Sequence, residues 1–176
     1  MELEFENGIP RYVEYGEPKI NLAEVYRYAG IPSGKALITE ELKQSFMRAQ
    51  KLIEGQLTYK VGYVCRLLPR DEEGFPILPF RQHSKNLKKN LHDCTHVILF
   101  AATIGAGIDR LIRRFEVSDP ALGMILQGLG AERVESLCDR FNKDVKDAAL
   151  EKKLEAYRTS LSKEERARIV EETLDL

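Results

Sequence analysis

One stretch restricts the fold of this chain more than any other: V-I-L-F-A-A at 97–102, followed directly by T-I-G-A-G at 103–107. A continuous apolar run has no polar face, so it suits a strand covered on both sides. The pattern therefore predicts an interior strand near the centre of a sheet. Gly105 and Gly107 then make a tight turn, and 108–115 reads as an amphipathic, basic helix. Asp119-Pro120 opens a second helix, with Asp placed to cap and Pro at the first helical position. A buried strand that ends in glycines at a helix start is a place where backbone N–H groups can meet an anionic or polar ligand.

The flanking sequence supplies the remaining elements. Asn7-Gly8 within 3–15 signals a hairpin turn, and Pro10 puts the second strand of that hairpin at an edge. Asn21 caps a short helix over 22–29 that stops at Gly30. A longer helix opens at Thr39 and runs to about Glu54. In 57–68 the residues Tyr59, Val61, Tyr63, Cys65 and Leu67 alternate onto one strand face. A turn at 71–74 and a short extended piece at 75–80 follow, and Ser84 caps a brief helix to Leu91. No glycine follows Gly130 and no proline follows Pro120, which predicts one long helix from Pro120 to about Tyr157. Ser162-Lys163-Glu164-Glu165 is a capping box for a final helix through Val170.

Together these elements predict an α+β fold: a twisted, mostly antiparallel sheet packed against helices, with a helical C-terminal tail. At 176 residues the chain reads as a single domain, with a body over 1–141 and a charged tail over 142–176. A net charge of −1 gives no broad positive field, so nucleic acid is not an expected partner. No apolar run is long enough to span a bilayer, and M-E-L-E-F-E-N-G is too acidic for a signal peptide. Cys65, Cys94 and Cys138 are odd in number and irregular in spacing, so they read as reduced thiols in a cytoplasmic protein.

Several local patterns invite chemistry. Gly105-x-Gly107 after a strand resembles the start of a dinucleotide fingerprint, but Arg110 stands where its third glycine belongs and no second βαβ unit follows. His92-x-Cys94-x-His96 would bring three metal-ligand types to one face of a strand. Asp93 and the Cys94-Thr95 turn instead suggest a helix end entering a strand, which breaks that geometry and leaves His92 near the last carbonyls. No G-x-S-x-G frame supports a nucleophilic serine. Gly123, Gly128 and Gly130 inside the long helix each cost about 1 kcal/mol relative to Ala. They imply close approach of another backbone or of a ligand.

A-A-T-I-G-A-G-I-D-R-L-I-R-R-F and Q-G-L-G-A-E-R-V-E-S-L-C-D, with N-L-A-E-V-Y-R-Y-A-G-I and S-K-N-L-K-K-N-L-H-D-C, resemble the reactivation region of vitamin-B12-dependent methionine synthase. The likeness covers about 21–144 and is nearest to the short stand-alone proteins related to that region. It implies a protein that presents S-adenosylmethionine to an inactive cobalamin held by a partner module, or that docks on that module and holds the reactivation conformation. It also implies that one acidic residue of A-E-R-V-E, Glu132 or Glu135, holds the donor's ammonium group, and that Thr103 and Gly105 lie at the ligand-facing turn. Without a ligand, the two glutamates read as a solvated pair bridging to neighbours such as Arg133.

The family's donor loop follows this helix with an R-x-x-x-G-Y pattern, and no glycine stands there in this chain. Weak or absent S-adenosylmethionine binding is the expectation, and with it an accessory protein rather than an independent enzyme. Cobalamin would then be met only through the partner, a cobalamin-binding methionine synthase module. The alternative expectation is a non-catalytic scaffold whose charged tail pairs with another chain, including a second copy of itself.

Overall fold

The alternation in Y-K-V-G-Y-V-C-R-L organises the sheet. In the computed structural model, which describes residues 3–31, 39–72, 76–77 and 84–160, this segment is the strand β2 (Tyr59–Leu67). Strand β1 (Pro10–Tyr15) lies along one side of it and β3 (His96–Thr103) along the other, both antiparallel. Tyr59, Val61, Tyr63 and Cys65 are buried on one face, and Val13 of β1, opposite Val61, joins them. Lys60, Gly62 and Arg66 are exposed on the other. The helices are α1 (Leu22–Tyr28), α2 (Glu40–Ile53), α3 (Lys85–Asn90), α4 (Gly107–Ser118) and α5 (Pro120–Ser160). An antiparallel sheet with helices is the α+β architecture that the sequence predicts.

Helix boundaries follow the capping chemistry. The Thr39 hydroxyl accepts from the Leu42 N–H and starts α2, and the Ser84 hydroxyl accepts from the Leu87 N–H and starts α3. The Asp119 carboxylate accepts from the Leu122 N–H at the start of α5. Gly30, at φ +72°, closes the turn after α1.

Three expectations need correction. The apolar run at 97–102 is not central. The strand order is β1-β2-β3, so β2 holds the middle and β3 pairs on one side alone among the described residues. No β3 residue is fully buried. An apolar run tells a strand that it can be covered on both faces, but not which neighbours it has. The 3–15 segment is not a hairpin either. Gly8 does turn the chain at φ +80°, but Asn7 bridges Cys65 in parallel and its side chain accepts from the Leu67 N–H. β1 thus pairs with a strand far along the chain. Finally, Leu67 is exposed and Leu68 takes the buried place at the end of β2.

The chain divides into two compact units, Glu4–Cys138 and Met1–Leu3 with Asp139–Leu176, so the boundary falls inside α5. In the larger unit, Leu122, Ile125, Leu126 and Leu129 form the buried stripe of α5 at helical spacing. In the smaller unit the described part of α5 carries Arg140–Asp144 and Lys143–Asp147 ion pairs at i,i+4. The helix expected over 162–170, the turn at 73–74 and most of the extended piece at 75–80 lie outside the described residues. Among the described residues no helix is long and apolar enough to cross a membrane.

Close backbone approach explains Gly123 and Gly128 of α5, whereas Gly130 faces the Ile108 side chain. A Cβ on Gly128 would stand 2.5 Å from the Val25 carbonyl oxygen and 2.8 Å from the Ala29 nitrogen, so α1 rests directly on α5 there. A Cβ on Gly123 would stand 3.1 Å from the Glu116 Cα, where α4 and α5 fold back on each other. Gly128→Ala should therefore destabilise the protein. Overpacking costs about 1–3 kcal/mol, and two rigid backbone atoms put this site at the upper end. That outweighs the gain of about 1 kcal/mol that Ala brings to a helix. Gly62→Ala, whose Cβ would meet nothing closer than 3.9 Å, should be neutral or mildly stabilising. Thermal melts of the two variants test the contrast, and an unchanged melt for Gly128→Ala would refute the close α1–α5 contact.

Candidate functional site

Glu132 and Arg133 are neighbours in sequence and the only charged residues on the described chain that are fully buried, at 1 % and 0 % exposure. Consecutive helical residues point about 100° apart and do not normally pair. Here both reach the same loop, 16–21, between β1 and α1. The Arg133 Nε donates to Glu132 Oε2 at 2.6 Å and its Nη2 donates to Oε1 at 2.8 Å. Nη1 donates to the Pro18 carbonyl at 2.5 Å and Nη2 also to the Lys19 carbonyl at 2.8 Å. Glu132 Oε1 further accepts from the Asn21 backbone N–H at 2.9 Å and from the Ser136 hydroxyl at 2.7 Å. The pair ties residues more than 110 positions away to α5. Asn21 is the cap residue of α1, so Glu132 fixes the entry of that helix.

The electrostatics follow from these bonds. Burial by itself pushes the Glu132 carboxyl up, but hydrogen bonds from Arg133, the Asn21 N–H and Ser136 outweigh it and hold its pKa below the usual carboxylate range. Burial disfavours the Arg133 charge, and Glu132 more than restores it, leaving its pKa above the ordinary value. Tyr59 lies beside the cluster. Burial first, and the Glu17 carboxylate second, push its phenol up to about 12 against the opposing pull of Arg133. Its hydroxyl is buried, with Arg133 and Glu17 as its charged neighbours. Glu17 stands 3.9 Å from Arg133 Nη1 and also lines an open cleft of about 370 Å³ with Ile20, Met47, Gln50, Lys51 and Glu54.

The residues singled out in the sequence differ in their surroundings. Glu132 is enclosed in the clamp, whereas Glu135, one turn on, is exposed. Thr103 and Gly105 sit at the end of β3, where the Thr103 hydroxyl accepts from the Gly105 N–H at 3.1 Å. Gly105 adopts φ +80°, and a Cβ there would stand 2.8 Å from Thr58 Oγ1. A Cβ on Gly107 would stand 2.3 Å from the Gln56 carbonyl oxygen. The turn is thus shaped by protein backbone packed against it. None of Thr103, Gly105, Glu132 and Glu135 lines the cleft beside Glu17.

The His92, Cys94, His96 segment is likewise local. His92 Nδ1 meets the Asp93 carboxylate at 2.9 Å, His96 Nδ1 meets the Thr95 hydroxyl at 2.9 Å, and the Cys94 thiol lies against the Asn90 carbonyl. Among the described residues no set of three His, Cys, Asp or Glu side chains is placed to hold a metal. Among the described residues Cys65, Cys94 and Cys138 form no disulfide. The partners of Arg133 were not legible in the sequence, because two of them are backbone carbonyls more than 110 positions away. In comparisons with known proteins, no family model and no curated protein matches the chain.

The clamp generates a stability prediction. Removing one partner of a buried ion pair typically costs about 3–5 kcal/mol. Glu132→Gln should lower the melting temperature strongly at neutral pH, and Glu132→Gln with Arg133→Met should recover part of the loss. The pH dependence has a defined sign. A carboxyl whose folded pKa is depressed stabilises above its unfolded value of about 4.3. That contribution is lost as pH falls through the folded pKa. The gap in stability between parent and Glu132→Gln should therefore be full above about pH 5 and close in stronger acid. A gap independent of pH would show that the Glu132 charge is not what matters.

Proposed function

We propose that this protein works by docking rather than by catalysis, as a stand-alone relative of the methionine synthase reactivation region that engages a cobalamin-binding methyltransferase module. The partner class comes from the resemblance over 21–144. The observation that carries the non-catalytic half of the reading is the clamp. Glu132, a residue that the resemblance offers for the donor's ammonium, already accepts from Arg133, Asn21 and Ser136. An ammonium ligand would have to compete with a guanidinium that makes two charge-assisted bonds to the same carboxylate. Glu135, by contrast, is exposed. The missing R-x-x-x-G-Y loop points the same way.

Two titrations test this. S-adenosylmethionine should bind more weakly than about 10 μM, or about −7 kcal/mol, in isothermal titration. A purified cobalamin-binding module of a methionine synthase should form a complex with the full chain in analytical ultracentrifugation. Tight S-adenosylmethionine binding that Glu135→Gln abolishes would replace the docking reading with a donor-binding one. Absence of any complex with the module would remove the partner and leave the scaffold alternative.

A further inference from the structure

Helix α4 presents Arg110, Arg113 and Arg114 at i, i+3 and i+4, all exposed, together with Val117, which is 85 % exposed. These positions fall on one arc of the helix, opposite Ile108 and Phe115, which are buried. The other helical arginines with described side chains all hold a carboxylate: Arg27 with Glu24, Arg48 with Asp119, Arg133 with Glu132 and Arg140 with Asp144. Among the described residues, the three on α4 hold none. The Arg114 guanidinium lies 5.3 Å from the centre of the Phe115 ring. Partners are near in sequence: Asp109 stands four residues before Arg113 and Glu116 three after it, but no ion pair forms. Like charges at these spacings repel one another and destabilise a helix. The arrangement is thus a local concentration of unneutralised guanidinium on a chain whose net charge is only −1.

We propose that this face of α4 is a docking surface for an acidic segment of a partner protein, recognised by Arg110, Arg113 and Arg114, with Val117 as an apolar contact beside them. Charge complementarity argues for the occupant. Each planar guanidinium can take a carboxylate in bidentate fashion, and three of them along little more than one helical turn match carboxylates displayed at the same spacing on a facing helix. A nucleic acid would need a longer basic stripe and aromatic stacking groups, and this face has neither. The surface is independent of the cobalamin reading and stands or falls without it.

The probe is a labelled helical peptide of about four turns, with glutamates at i, i+3 and i+4 and a leucine one turn on, titrated into the full chain by fluorescence anisotropy. Saturable binding should weaken as salt rises and fall about tenfold or more in the triple variant Arg110→Gln, Arg113→Gln, Arg114→Gln. The corresponding triple lysine variant should keep more affinity than the glutamine one, and Arg27→Gln on α1 should bind as the parent does. Thermal melts confirm that each variant is folded. Three results overturn the proposal: no binding of the peptide, equal affinity in the parent and the glutamine triple, or a peptide matched by an equally charged single-stranded oligonucleotide or by phosphatidylserine vesicles. The last would show a surface for anions in general rather than for an acidic protein segment.

Discussion

A buried ion pair between adjacent residues holds this fold together where the helices meet the loop after β1. Taking Glu132 and Arg133 out of water carries a desolvation penalty of several kcal/mol per ion. The structure offsets it by filling the hydrogen-bonding capacity of both groups. Arg133 gives its donors to Glu132 and to the Pro18 and Lys19 carbonyls, and Glu132 receives the Asn21 N–H and the Ser136 hydroxyl as well. Loop 16–21 has no regular partner for those backbone groups. The side chains of α5 supply it.

The clamp and the glycine contact act together on α1. Gly128 lies one turn before Glu132 on α5, and it lets the backbone of α1 come within van der Waals distance near Val25 and Ala29. Glu132 then grips the helix cap at Asn21. A helix of seven residues is too short to be stable from propensity alone. Docking by a side-chain carboxylate at its entry and a bare glycine along its length gives it the tertiary support it needs. Val25 and Tyr26 bury against the core as a result.

This arrangement bears on function because it settles where the polar chemistry of the larger unit goes. Its most deeply buried charges serve structure. The groups that face outward are different ones: the cleft wall with Glu17, Lys51 and Glu54, and the arginine face of α4. The proposed docking role would use such outward-facing surfaces.

The sequence by itself determined much of what has a local cause. Caps at Thr39, Ser84 and Asp119 and the positive-φ turns at Gly8, Gly30 and Gly105 depend on near neighbours along the chain and were legible in it, although the Asn21 side chain makes no cap bond to α1. What only the tertiary structure decided depends on distant ones. Alternation in 59–65 and the apolar run at 97–102 both read as strands, but among the described residues strand order makes the first central and the second an edge. A-E-R-V-E shows two glutamates at i and i+3. Three-dimensional packing buries one against its sequence neighbour and leaves the other in solvent. The reason is physical: periodicity reports which face a residue takes, whereas burial and partnership depend on what the rest of the chain brings to that face.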